Sequence, residues 1–200
     1  MKKIAFDLWG TLAYLKPGKD FGIAIARELG IEKDEYHELV KRFWFKRDLS
    51  AGEFAEILVN ETGKTDASIK YLTEQISSPY GRHSIYPDTK PTLERLSETS
   101  ELILVSDTSS LGKRMFYDLE ISQFFKKLYF SCELGLTKEE GLYSKAFEFM
   151  NIKPEEVLVV GDSLRSDNKI PLELGSRVVL IDRTNKYPNE QSIKSLEELK

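Results

Sequence analysis

Cysteine is almost absent from this sequence: Cys132 is the single thiol in 200 residues. One thiol excludes an internal disulfide and a cysteine-built metal cage, and a reducing, cytoplasmic setting is the expectation. Histidine is nearly as scarce. His37 and His83 stand far apart without ligand spacing, so neither marks a metal site. Long apolar runs are missing too. None approaches the ~20 residues of a membrane span, and Met1-Lys2-Lys3 leads into a short apolar run without the pattern of a secretory leader. Nor is one sign of charge in excess, since 29 Lys and Arg face 33 Asp and Glu for a net charge of −4. A nucleic-acid partner, which calls for a basic surface, is therefore not expected. The content of 40% hydrophobic and 11% aromatic residues excludes a solvating, disordered chain and is enough for a buried core.

Five short apolar runs are present, at 3–6, 102–105, 128–130, 157–160 and 178–181. Runs this short and rich in Val, Ile and Leu suit strands of a parallel sheet buried on both faces. Helical patterns at 111–119, 142–150 and 165–174 lie between or beside the later runs, the last closed by Gly175. Alternation of strand and helix predicts an α/β fold with right-handed crossovers. Residues 16–84 break the rhythm. They show no convincing strand, but helices are predicted over 21–29, 34–47, 54–59 and 67–76, the third behind a capping box at Ser50-Ala51-Gly52-Glu53. The expected organisation is a core of 1–15 and 85–200 carrying a helical cap, 16–84. Pro79, Gly81, Pro87 and Pro91 mark the return to the core, and Ser192 is read as the cap of a final helix over 193–199.

Chemistry gathers at the ends of the runs. The first finishes in Asp7, followed by Leu8-Trp9-Gly10-Thr11, and ligands bind at the carboxyl ends of parallel strands. The second finishes Ser106-Asp107-Thr108, the fourth Gly161-Asp162 with Asp167 five residues on, and Lys138 lies between them. A nucleophilic carboxylate, a small hydroxyl, a cation and an acidic pair suit attack by Asp7 on phosphorus. Mg²⁺, a hard ion that prefers oxygen, would be held by Asp7 with Asp162 and Asp167. Lys138 and Ser106 would hold the phosphoryl oxygens.

With these residues the chain resembles the haloacid dehalogenase-like (HAD) hydrolase superfamily over nearly its whole length. Asp7 through Thr11 match the first family motif, Ser106 the second, Lys138 the third, and Asp162 with Asp167 the fourth, in order. The resemblance implies a Rossmann-like parallel core with an inserted α-helical cap, and the first and fourth strands side by side. It also implies a small phosphorylated metabolite as substrate, and a metal site completed by the backbone carbonyl of Trp9. The expected substrate contacts are Trp9, Gly10, Thr11, Asp107 and Thr108 in the core.

Two features pull in opposite directions. HAD phosphatases generally carry a second Asp two residues after the nucleophile to protonate the leaving alcohol; here Trp9 takes that place. The superfamily's 2-haloacid dehalogenases have an aromatic residue there and use no metal. Asp162 and Asp167, however, are the phosphatase form of the fourth motif. Lys138 is followed by Glu139-Glu140-Gly141 rather than the common Pro-Asp-Pro. Asp107 reads either as a substitute acid or as a cap of the next turn. The basic and aromatic run 40–47 reads either as Arg42 and Arg47 (with Lys46) facing an anionic substrate, or as a helix with aromatics inward and a solvated basic face. The leading expectation is a Mg²⁺-dependent phosphatase. A metal-free 2-haloacid dehalogenase and a catalytically weakened binder of a phospho-ligand or partner are the alternatives, and substrate identity and oligomeric state stay open.

Overall fold

The computed structural model describes residues 2–18 and 20–199; Met1, Lys19 and Lys200 lie outside the described residues. The strands are β1 (Lys2–Phe6), β2 (Ala13–Leu15), β3 (His83–Ile85), β4 (Ser100–Ser106), β5 (Lys127–Phe130), β6 (Val157–Gly161) and β7 (Arg177–Leu180). The helices are α1 (Phe21–Leu29), α2 (Lys33–Leu39), α3 (Ala51–Thr62), α4 (Ile69–Ser77), α5 (Thr89–Ser97), α6 (Ser110–Asp118), α7 (Ser131–Leu134), α8 (Leu142–Met150) and α9 (Ile170–Glu173). Five strands form one sheet in the order β5-β4-β1-β6-β7, with every pairing parallel. The fold is α/β and Rossmann-like.

Side-chain alternation explains why this sheet sits in the middle of the core. In β1, Ile4 and Phe6 point to one face, where they meet Leu93, Phe116 and Leu196. Ala5 points to the other, with Tyr143 and Phe147 of α8. In β4 the same alternation sends Leu102 and Leu104 one way and Ile103 and Val105 the other. With both faces covered by helices, every strand position gains from an apolar side chain, so the runs are continuous rather than alternating.

Residues 21–77 hold a separate apolar cluster in which Ile25, Tyr36, Trp44, Phe54, Leu58 and Leu72 pack together. Its helices end where local chemistry ends them. Asp20 caps α1 through a bond from Ile23 N (3.1 Å), and Gly30 closes it at φ 68°, where a side chain would be strained. Ser50 and Glu53 form the capping box of α3.

The structure corrects several sequence expectations. The helix expected over 34–47 is α2 followed by a π-helical stretch, Val40–Trp44, in which Phe45 N bonds to Val40 O at 3.0 Å. The extra residue in that turn helps bring Phe43 and Trp44 inward together. The helix expected over 165–174 is likewise a π-helical stretch, Leu164–Lys169, leading into α9. The range 16–84 does contain strand: β3 begins at His83 and pairs antiparallel with β2, a ribbon at the two ends of the helical segment. Strands of three residues are too short to show a period. The expected helix over 193–199 is a single 3₁₀ turn, Leu196–Glu198, capped by Ser195 rather than Ser192, because Ile193 is drawn into a parallel bridge with Ile181. Among the described residues no helix is long and apolar enough to cross a membrane.

One polar node ties the chain's ends to the loop after β1. Arg183 forms a bidentate pair with Asp88 (2.9 and 3.0 Å), donates to Thr11 O, and stacks on Tyr86 at 3.8 Å. Asp88 also accepts from Ser195 Oγ and Leu196 N, both at 2.8 Å. Burial opposes the charge of Asp88, but these bonds outweigh it and hold its carboxyl below the usual range. Arg183→Leu leaves that carboxylate largely buried and unpaired. It is expected to cost about 3 kcal/mol, lowering Tm by roughly 6–12 °C in a chain of this size; a melting curve by circular dichroism checks it.

Candidate active site

The site lies where the order of the sheet reverses, at the carboxyl ends of β1, β4 and β6. Asp7 directly follows β1, held by its N–H to Val160 O (2.9 Å). The next residues turn sharply, with Leu12 N and Ala13 N both bonding Leu8 O at 2.9 Å. Gly10 sits in this turn at φ 84°, and a Cβ there would come within 2.3 Å of Asp162 Oδ2. Only glycine lets the carboxylate of Asp162, from the end of β6, close on the loop that follows Asp7.

Asp167 is carried by the π-helical stretch after β6. Its carboxylate is aimed by Ser163 N (3.1 Å) on one oxygen and by Tyr143 Oη (2.9 Å) on the other. Asp7, Asp162 and Asp167 each offer one oxygen, all within 4.8 Å of one another. Lys138 is 2% exposed, and its Nζ reaches Asp7 Oδ1 at 2.5 Å and Asp167 Oδ1 at 2.6 Å. Thr11 Oγ1 donates to the other oxygen of Asp7 at 3.3 Å.

The electrostatics follow from burial. Loss of water raises the Asp7 carboxyl to about 8; Lys138 opposes the rise, and Asp167 and Asp162 add to it. Burial, then the charge of Asp167, raises Asp162 to about 6. At Lys138 burial works against the ammonium, but Asp167 and Asp7 outweigh it and raise its pKa. One ammonium among three carboxylates leaves the buried cluster short of positive charge. A divalent cation with oxygen ligands fits that deficit and this donor set.

Ser106 ends β4, fully buried, and its Oγ has no hydrogen-bond partner among the described residues. Asp107 does not cap the following turn. Ser109 does, accepting from Gly112 N, whereas Asp107 Oδ1 accepts from Lys138 N at 2.9 Å and so fixes the start of the loop that delivers Nζ. Burial raises the Asp107 carboxyl to about 6 against the pull of Lys138. Thr108 Oγ1 accepts from Trp9 Nε1 at 3.1 Å, and its N–H is held by Ser131 Oγ.

Beside this cluster, between the helical segment and α6, is a cavity of about 310 Å³. Trp9, Asp107 and Thr108 line its core side, and Tyr36, Trp44 and Phe45 line the opposite side. Arg42 and Arg47 are not among its lining residues. Both are exposed; Arg42 pairs with Glu61 at 3.4 Å, and both guanidiniums lie over the Phe43 ring. With Phe43 and Trp44 inward, the two arginines are left on the solvent side, so the structure does not bring them to the site. Lys46 instead pairs with Glu140, two residues after Lys138.

Sequence reasoning missed Tyr143, Ser163 and Ser131 as supports of the site, and Tyr36, Trp44 and Phe45 as cavity walls. Tyr143 had a faint signal, since it shares a helical face with Ala146 and Phe147 yet carries a hydroxyl into the core. The other residues had none.

A family model described as haloacid dehalogenase-like hydrolase matches residues 1–168. Among solved structures, a HAD phosphatase from Thermococcus onnurineus aligns over 100% of this chain and 96% of its own, with 23% identity and a TM-score of 0.65. A HAD family enzyme from Bacteroides thetaiotaomicron, in complex with magnesium and inorganic phosphate, aligns over 94% and 97%, with 21% identity and a TM-score of 0.68. A 2-haloacid dehalogenase from Pseudomonas syringae pv. Tomato aligns over 100% and 96%, with 18% identity and a TM-score of 0.67. No curated protein matches the sequence. The structural relatives share the fold; the family model covers most of the chain and agrees with it, and the chain belongs to the haloacid dehalogenase-like hydrolases.

Proposed function

We propose that this hydrolase is a Mg²⁺-dependent phosphatase that acts on a small phosphorylated metabolite through an aspartyl-phosphate on Asp7. The observation that carries this reading is the convergence of Asp7, Asp162 and Asp167 to within 4.8 Å, on a site with too little positive charge of its own. The magnesium and phosphate bound by the Bacteroides relative support it. Asp7, Asp162, Asp167 and the carbonyl of Trp9 would hold the ion. When bound, it offsets repulsion between the attacking carboxylate and the phosphoryl oxygens.

The rest falls to the chain's own groups. The Asp7 carboxylate attacks phosphorus, and the bond between phosphorus and the substrate's ester oxygen breaks. Water then attacks phosphorus and releases phosphate, returning Asp7 as carboxylate. Lys138, fixed by Asp107 and paired with Asp7, carries the positive charge that a phosphoryl group needs, and the unpartnered hydroxyl of Ser106 is a donor ready for one of its oxygens. Gly10 and Thr11 shape the turn around the phosphoryl group. Segment 16–84 acts as a cap over the core of 1–15 and 85–200, supplying Tyr36, Trp44 and Phe45 to the cavity beside the site.

Trp9 favours a second reading, the metal-free 2-haloacid dehalogenase, because a departing halide needs no proton. The test is turnover of 4-nitrophenyl phosphate and of 2-chloropropionate, each with Mg²⁺ and with chelator. Phosphate release that falls at least ~100-fold in chelator, with no chloride release, is expected. Chloride release in chelator would make the enzyme a dehalogenase, and neither activity would make it a binder.

A further inference from the structure

We infer that the leaving group of the substrate is an uncharged aromatic alcohol seated in the cavity between the helical segment and α6, so that the enzyme prefers aromatic phosphate esters to sugar or nucleotide phosphates. This rests on the phosphatase reading. Three observations carry it.

The cavity adjoins the phosphoryl site through Trp9 and Asp107, the latter bonded to the loop of Lys138. A group leaving Asp7 on that side enters a space walled by Trp9, Tyr36, Trp44, Phe45 and Leu111. Ring faces and an aliphatic side chain suit a flat apolar group, whereas a sugar needs several matched donors and acceptors.

Both carboxylates and the lysine around the cavity are already engaged. Lys33 Nζ pairs with Asp20 at 2.8 Å, Asp20 also caps α1, and Asp107 is engaged by Lys138 N. Among the described residues of the wall Lys33 is the single ammonium and no arginine is present, so besides the imidazole of His37 the wall offers no further cation to a second phosphate or a carboxylate. Tyr36 Oη and Trp44 Nε1 are buried away from the cavity and have no partner among the described residues, so these two side chains offer it ring surface.

The cavity is small. A cavity of about 310 Å³ stands at the small end of ligand pockets, which suits one fused ring system better than a nucleoside with its phosphates.

The test compares kcat/KM with Mg²⁺ for acetyl phosphate, phenyl phosphate, 2-naphthyl phosphate and glucose 6-phosphate. Phenol and naphthol are similar leaving groups, so a difference between their esters reads the cavity rather than the chemistry. A preference of about 10–100-fold for the naphthyl over the phenyl ester is expected, with glucose 6-phosphate far below both. Leu111→Trp, which fills the cavity from α6, should bring the naphthyl-to-phenyl ratio close to one. Should that variant not fold, the unmodified enzyme's ratio decides alone. Turnover of acetyl phosphate with no preference between the aryl esters, or with glucose 6-phosphate as the better substrate, overturns the inference and leaves the phosphatase standing. No turnover of any of the four overturns the phosphatase reading itself.

Discussion

Asp7→Asn is expected to lower phosphate release on the order of 10⁵-fold, the scale on which a nucleophile's removal acts when the rest of a site is intact. The amide has nearly the shape of the carboxylate but cannot attack phosphorus. Folding should survive. Asp7 is buried among like charges, its ionisation is already disfavoured by burial, and a neutral group relieves that repulsion while Asp167 keeps its contact with Lys138. Steady-state phosphate release beside a thermal melt separates the two effects. A large loss of rate with Tm unchanged or raised is the expected pair of results.

Trp9→Asp is expected to raise turnover of alkyl phosphates by about 10²–10⁴-fold, the range a positioned general acid supplies. Without an acid at this position an alkoxide departs unprotonated, and its basicity makes the step slow. An aryl or acyl leaving group is stable as an anion and loses little. The unmodified enzyme should therefore show a steep dependence of rate on leaving-group pKa, and the variant a flatter one. Two residues from Asp7 and on the cavity wall shared with Asp107, the new carboxyl would be held protonated into a higher pH range by like charge, as an acid must be. The exchange also removes the indole bond to Thr108 and one wall of the cavity, so a melt must accompany the kinetics. Rapid alkyl phosphate hydrolysis by the unmodified enzyme would point to Asp107, whose carboxyl burial raises to about 6. Asp107→Asn would then have to abolish it; survival of that activity would sink the account of the missing acid.

The parts of the fold legible in the sequence are those written by local chemistry. Helices expected over 21–29 and 142–150 coincide with α1 and α8, because Asp20, Gly30 and an unbroken apolar face lie in the segments themselves. The five parallel strands were legible because burial on both faces leaves uninterrupted runs. Tertiary terms hid the rest. β2 and β3 depend on each other across the chain, with Ala13 opposite Ile85 and Leu15 opposite His83, and α5 begins beside Pro87 and Pro91 in a stretch that reads as loop. Pro91 is tolerated because it falls in the first turn, where its missing N–H has no partner to lose.

The site divides the same way. Strand-end positions placed Asp7, Ser106 and Asp162 on one edge of the sheet, since that edge is a property of the whole architecture. The course of the loop that carries Lys138 depends on the Asp107 carboxylate, a contact between residues 31 positions apart that no pattern displays. Arg42 and Arg47 show the limit most plainly. Charge predicts that a side chain seeks an anion or water, but the phase of the helix decides which it meets, and the π-helical turn changes that phase.

The most direct test of the central claim is a rapid acid quench of the Mg²⁺-loaded enzyme turning over a ³²P-labelled aryl phosphate, followed by proteolysis and identification of the labelled peptide. Acid-stable, hydroxylamine-labile label on the peptide that carries Asp7, and none on the Asp7→Asn variant, is the expected result. Label on a different peptide, or phosphate release by Asp7→Asn at the unmodified rate, would contradict it.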